Sequence, residues 1–155
     1  MKRYTDATAL RRALETRLKQ ESDDTGGDLG RLRRRVMFDR LAVRLSVFAE
    51  KLHALTRDYG DRPNTRIKDL VDLVLLIEDG LQPDKALVDV VRHVFIIRAT
   101  HPCPDTIPDP PPRWWREYPE VADGLTETAR DLPSALKLLR DFWSTAHDDV
   151  SGTEQ

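Results

Sequence analysis

The sequence predicts an all-α fold, a helical bundle of five to seven helices with a Pro-rich loop. Apolar residues recur at three- and four-residue steps in one stretch after another, the signature of helices with one buried face. Glycine- and proline-containing segments separate those stretches. With 39% apolar residues, the 155-residue chain can fill one modest core.

From Thr5 to about Ser22, Ala9, Leu10, Ala13, Leu14 and Leu18 share a helical face, with Thr5 or Asp6 as N-cap. Ser22 to Asp28, SDDTGGD, reads as a loop. Leu29, Leu32, Val36, Leu41, Leu45, Phe48, Leu52 and Leu55 then mark one long helix or two nearly collinear ones. GDRPNT, Gly60 to Thr65, breaks it, and Asn64 or Thr65 can cap a helix over Arg66 to Asp79 that Gly80 stops. Pro83 suits the first turn of the next, in which Leu87, Val90, Val91, Val94, Phe95 and Arg98 keep helical spacing. The segment Pro102 to Pro112 cannot continue a helix and is expected to run extended over the surface. Trp114, Trp115 and Tyr118 open a short helix, and Pro133 starts a last one through about Ala146. Residues 1–147 thus read as one helical domain, with N-terminal basic helices in 1–45 and the rest in 46–147. A disordered tail is expected over 148–155.

Net charge is only −2, but the halves differ: Met1 to Arg57 holds 14 Lys/Arg against 8 Asp/Glu, leaving 11 and 19 of the chain's 25 and 27 for the remainder. A basic front can attract nucleic acid or an acidic partner, and charge alone does not choose between them. The single cysteine, Cys103, excludes an internal disulfide and favours a reducing compartment. No apolar run is long enough for a membrane span, so a cytoplasmic protein is expected.

Two blocks carry chemistry together: FAEKLHALT, Phe48 to Thr56, and NTRIKDLVDLVLL, Asn64 to Leu76. Their order and separation resemble the last two motifs of the AbiEii/AbiGii family, nucleotidyltransferase-like toxins of abortive-infection toxin–antitoxin systems, where a Glu-Lys-Leu helix precedes a Lys-Asp-x-x-Asp-Leu helix. By that resemblance Lys51 is the candidate nucleotide or phosphate contact, and Asp72, with Asp69 beside it, the candidate catalytic carboxylate. YTDATALRRALETRL, DLGRLRRRVMFDRL and the Pro/Trp-rich DTIPDPPPRWWREY are also similar to family segments.

The resemblance locates a gap between Leu45 and Phe48, where family members carry the nucleotidyltransferase palm, with its Gly-Ser signature and paired aspartates. Nucleotidyl transfer rests on positioning and charge neutralisation, with magnesium on carboxylates and the triphosphate on backbone amides. Gly26-Gly27-Asp28 precedes no expected strand, and Asp23-Asp24 and Asp148-Asp149 fall in segments expected to be flexible, so none replaces the palm. The expectation is a truncated relative without activity or cofactor of its own. Magnesium, NTP and a tRNA-like acceptor are implied only for intact members. The alternatives are an interaction module for the cognate antitoxin or full-length toxin, and a subunit completing a separately encoded palm. Loss of a palm would also expose apolar surface and favour self-association.

Individual residues admit two readings. Asp72 interrupts an apolar run and, if buried, needs a cation, Lys51 or Lys68; the pair is a structural pin between helices or half of a former active site. His53 lacks a second ligand or a nucleophile, so a surface or half-buried histidine suffices. Arg31 to Leu45 forms a basic amphipathic helix in which Arg33, Arg34 and Arg35, with Arg40 and Arg44, offer contacts to nucleic-acid phosphates. The commoner alternative is a solvated cationic face over a buried stripe. The pair Trp114-Trp115 is expected to close the core.

Overall fold

The structure, a computed structural model, describes residues 7–151, with the side chains of 12–148 and 150. The caps expected at Thr5 or Asp6, the side chains of Ala9 and Leu10, and residues 152–155 lie outside the described residues. Among the described residues six helices form and no strand: α1 (Ala7–Thr25), α2 (Leu29–Thr56), α3 (Ile67–Glu78), α4 (Lys85–Arg98), α5 (Trp114–Ala122) and α6 (Leu132–Ser151). The chain divides into two compact units, Met1–Val43 and Arg44–Gln155.

The first unit is α1 and the front of α2. The expected loop from Ser22 shortens to residues 26–28, because Ser22 to Thr25 remain helical, with the Thr25 hydroxyl donating to the Glu21 carbonyl at 2.6 Å. Gly26 then takes φ +63°, which a side chain would oppose. Asp28 starts α2: its carbonyl accepts from Leu32 N at 3.1 Å and its carboxylate from Gly30 N at 2.9 Å. Leu29, Leu32 and Val36 are half-buried, but Met37, Phe38 and Leu41 are exposed. The buried stripe expected through Leu41 therefore fails here: at 100° per residue the two sets lie on different faces, and one neighbouring helix covers only one of them.

In the second unit the back of α2 keeps a strict three-four spacing, and Leu45, Phe48, Leu52 and Leu55 are all buried. Helix α6 packs on α3, α4 and α5. The Phe48 ring meets Phe142 at 5.4 Å and Trp143 at 6.4 Å, so Phe48→Ala would cost about 3–5 kcal/mol.

Helix ends follow polar side chains more than prolines. Asn64 does not cap α3; it accepts from Arg66 N at 2.9 Å and donates to the Leu55 carbonyl at 3.0 Å, tying the turn back to α2. At the other end Gly80, φ +86°, donates to Ile77 O, and Arg44 donates to the Leu76 and Asp79 carbonyls at 3.3 and 2.9 Å. Arg44, a candidate phosphate contact, is thus a helix C-terminal ligand. Asp84, not Pro83, fixes the start of α4 by accepting from Leu87 N at 3.0 Å. Pro83 precedes that cap. Pro133 does sit in the first turn of α6, behind an Asp131 carboxylate that accepts from Ser134 N at 2.8 Å. Helix α6 runs to Ser151, beyond the end expected at Ala146 and into the expected tail.

The Pro-rich segment is held down by α6. Trp143 Nε1 donates to the Pro104 carbonyl at 2.9 Å, and Arg140 reaches the Ile107 carbonyl at 3.2 Å and the Asp109 carboxylate at 2.7 Å. The segment's backbone lacks a helical ladder, and these donors satisfy part of it.

Candidate functional site

The Glu-Lys-Leu motif lies on the buried half of α2, where each inward leucine leaves its neighbours to flank the seam. Lys51 flanks toward α3. Its Nζ lies 2.8 Å from Asp69 Oδ1 and 2.8 Å from Asp72 Oδ2, which stand three residues apart on one helical face. These contacts bring together Lys51, Asp69 and Asp72, the residues that the motif resemblance singles out.

Burial is uneven within the cluster. The Asp69 side chain is 9% exposed, Asp72 44% and Lys51 32%. Asp69, not Asp72, is therefore the carboxylate that needs a cation, and Arg66 supplies a second at 3.8 Å from its other oxygen. Lys68 is exposed, and Lys51 takes the carboxylates. Hydrogen bonds to Asp69 and then Asp72 hold the Lys51 ammonium above its ordinary pKa of 10.5, against the opposing effect of burial.

The other polar residues of the motif turn elsewhere. Glu50 forms a forked ion pair with Arg98 of α4, with contacts of 3.0–3.2 Å. His53, expected at the surface or half-buried, is 6% exposed, because Phe95 and His101 pack on its ring at 5.0 and 4.7 Å. The Thr56 hydroxyl donates to the Leu52 carbonyl at 2.9 Å, so His101 Nε2, 2.9 Å away, must donate to Thr56. Neutral His101 then accepts at Nδ1 from Thr100, 2.9 Å, which leaves His53 Nε2 as donor to Thr100 at 2.7 Å. Both histidines have lowered pKa values. For His53 burial comes first and the His101 charge second; for His101 burial comes first and Arg57 second.

Whether this cluster could hold the magnesium that the resemblance implies follows from its donors. Magnesium takes near-octahedral oxygen ligands. Here the two candidate carboxylates already share a lysine ammonium, and among the described residues no group of three His, Cys, Asp or Glu converges as metal ligands would. The residues present do not fit the ion, and no step through it follows.

Arg33, Arg34 and Arg35 belong to the first unit. Arg33 makes a forked contact with Glu15 at 2.6 and 3.1 Å, Arg34 lies 3.7 Å from Asp28, and Arg35 is exposed. The tryptophan pair divides: Trp114 is 1% exposed and in the core, and Trp115 is 59% exposed. Glu78 was not singled out by the sequence, yet it accepts from Glu127 N, Thr128 N and Oγ1, and Ala129 N at 2.8–3.3 Å. Burial alone would raise its pKa, but these donors together lower it. Its partners lie about fifty residues away, so no local pattern marks it.

A protein-family model described as "Nucleotidyl transferase AbiEii toxin, Type IV TA system" matches residues 40–146. Neither a curated protein nor a solved structure matches the chain. Among the described residues no helix is long and apolar enough to cross a membrane.

Proposed function

The chain belongs to the AbiEii family of nucleotidyl transferase toxins, and from that premise we propose that it is the helical scaffold of such a toxin, which transfers no nucleotide by itself. The Lys51–Asp69–Asp72 cluster is kept as a clasp between α2 and α3. The observation that carries this reading is the Lys51 ammonium seated 2.8 Å from both carboxylates. An ammonium so paired is already neutralised, so it offers little to a phosphate unless Asp69 and Asp72 first let go. The carboxylates are likewise engaged by the same cation. Packing, rather than chemistry, is satisfied by this geometry.

Incubating the purified chain with magnesium, each labelled NTP and total tRNA tests the proposal. No incorporation above a blank is expected. Incorporation that is lost in Asp72→Ala would overturn it, and incorporation only on adding a separately encoded palm would instead make the chain a completing subunit.

A second reading is favoured by the exposed Met37, Phe38 and Leu41 on α2, 44–61% accessible and bordered by Arg34, Arg35 and Arg40. Such a face suits an interaction module for the cognate antitoxin or a full-length toxin. Pull-down with each neighbouring gene product should recover one of them, and recovery should fall in Phe38→Ser. Binding to neither would remove this reading.

A further inference from the structure

Helix α4 ends on Ala99 with φ +49°, a left-handed conformation that a β-carbon opposes. Such a residue persists only where its surroundings hold it on both sides. Before it, the Ala99 N–H donates to the Phe95 carbonyl at 3.0 Å. After it, Thr100 and His101 tie the chain to α2 through one run of hydrogen bonds. His53 Nε2–H donates to Thr100 at 2.7 Å, the Thr100 hydroxyl to His101 Nδ1 at 2.9 Å, His101 Nε2–H to Thr56 at 2.9 Å, and Thr56 to the Leu52 carbonyl at 2.9 Å. Its direction is set by the Leu52 carbonyl, which can only accept.

That run closes only while both imidazoles are neutral. A proton on His101 Nδ1 turns the acceptor into a donor, and the Thr100 hydroxyl proton loses its partner. A proton on His53 places a cation 4.7 Å, ring to ring, from His101, with Phe95 packed on both at 5.0 Å. Burial opposes either charge most. Next come His101, Arg98 and Arg57 around His53, and Arg57 beside His101. Glu50 favours a charged His53, but its carboxylate is already forked onto Arg98. Arg92 and Cys103 share a mostly apolar cavity of about 350 Å³ with His101, Phe95, Ala99 and Pro102. Cys103, the chain's single cysteine, is half-buried there, with Asp105 facing it.

We propose that this run of hydrogen bonds is an acid-released latch: once His53 or His101 takes a proton, residues 99–103 lift from α2 and uncover Cys103 and the apolar cavity, while the helices stay formed. The opening is bounded on both sides. Arg98 stays forked to Glu50 before it, and the Pro104 carbonyl stays bonded to the Trp143 indole at 2.9 Å after it. Neither anchor contains a histidine. Ala99, freed between them, relaxes from its left-handed conformation, which favours the open form. The latch differs from a loss of global stability in acid, because the fold on either side of it is kept. It stands whether or not the chain transfers nucleotides.

Cys103 reports the opening. The full chain is treated with dithiodipyridine, an uncharged disulfide: the Cys103 thiolate attacks one sulfur, a mixed disulfide forms, and thiopyridone leaves and is read by absorbance. Dividing the rate for the native chain by that of the urea-unfolded chain at the same pH cancels the changing thiolate fraction. From about pH 7.5 to about pH 5 this ratio should rise at least about fivefold, with the helical circular-dichroism signal unchanged. In His101→Gln, whose amide can still donate to Thr56 but does not titrate, the ratio should stay level. In His93→Gln, at an exposed position of α4, it should rise as in the parent. His53→Gln serves if His101→Gln does not fold. Independently of any variant, the imidazole ¹⁵N signals of His53 and His101 should titrate at the pH where the ratio rises. The latch would be overturned by a level ratio in the parent, an equal rise in the glutamine variants of His53 or His101, helix loss over the same pH range, or histidine titration at a different pH.

Discussion

Removing members of the Lys51 cluster one at a time separates a structural clasp from a catalytic remnant, because the three side chains differ in burial. Lys51→Met leaves Asp69, 9% exposed, with only Arg66 at 3.8 Å. Breaking a fully buried pair costs about 3–5 kcal/mol, and the residual cation brings this to about 2–3. Asp69→Asn keeps Lys51 on Asp72 and a third exposed to water, so the cost falls to about 1–2 kcal/mol. Asp72→Asn removes a contact at the surface and should cost under about 1 kcal/mol. The assay is urea unfolding followed by tryptophan fluorescence, since Trp114, Trp115 and Trp143 all lie in the second unit. With the native-state pKa of Lys51 raised, its contribution is complete below pH 10.5 and is lost as pH climbs through the raised value. The gap between the parent and Lys51→Met should therefore narrow only in strong alkali. A stabilised Lys51→Met, or an Asp72→Asn as costly as Asp69→Asn, would refute the clasp and restore a strained, function-first cluster.

Glu78→Gln should lose about 1–2 kcal/mol in the same urea assay, since an amide cannot accept all the donors of residues 127–129; no loss would show that water replaces them. The Glu78 carboxylate, with its native pKa lowered, contributes above pH 4.5 and loses that contribution as pH falls through the native value. His53 and His101 have native pKa values below 6.5, so stability should be full above that pH and decline as the solution is acidified past it. Thermal melts from pH 8 to 5 should show this decline shrinking in His101→Asn; an identical decline would place it elsewhere. Light scattering should find concentration-dependent self-association that Phe38→Ser with Leu41→Ser abolishes, and a monomer at every concentration would refute the exposed face as its cause.

How much of this was legible in the sequence depended on the range of the physics involved. The helices were, because spacing within a helix is local: Leu45, Phe48, Leu52 and Leu55 announce their shared face, and all four are buried. Their boundaries were not, where a carboxylate competes with a proline. Asp84 caps α4 by side-chain geometry that a reading of Pro83 overlooks, whereas Pro133 does stand in the first turn of α6. The front of α2 misled for another reason. Its apolar residues lie at helical intervals on two faces, and periodicity does not say that only one face has a neighbour.

The cluster was legible as a set of residues but not as an arrangement. Lys51, Asp69 and Asp72 were singled out together by motif, yet which carboxylate is buried depends on how α3 turns against its neighbours, and that placed Asp69 inside. His53 was misread because its partners, Thr100 and His101, sit more than forty residues away. Placed together, these contacts give the compactness of the Glu-Lys-Leu motif a physical cause. Within one turn of α2, Glu50 grips Arg98 of α4, Lys51 grips α3, and His53 binds the residue just past the left-handed Ala99 that ends α4. Three successive polar positions thus fasten two different helices to a third while Leu52 between them fills the core. The three grips differ in weight: the Glu50–Arg98 pair is about half exposed and contributes little, whereas Lys51 holds a buried carboxylate and His53 is itself buried. The motif in this chain thus does structural work, whatever part it takes in chemistry.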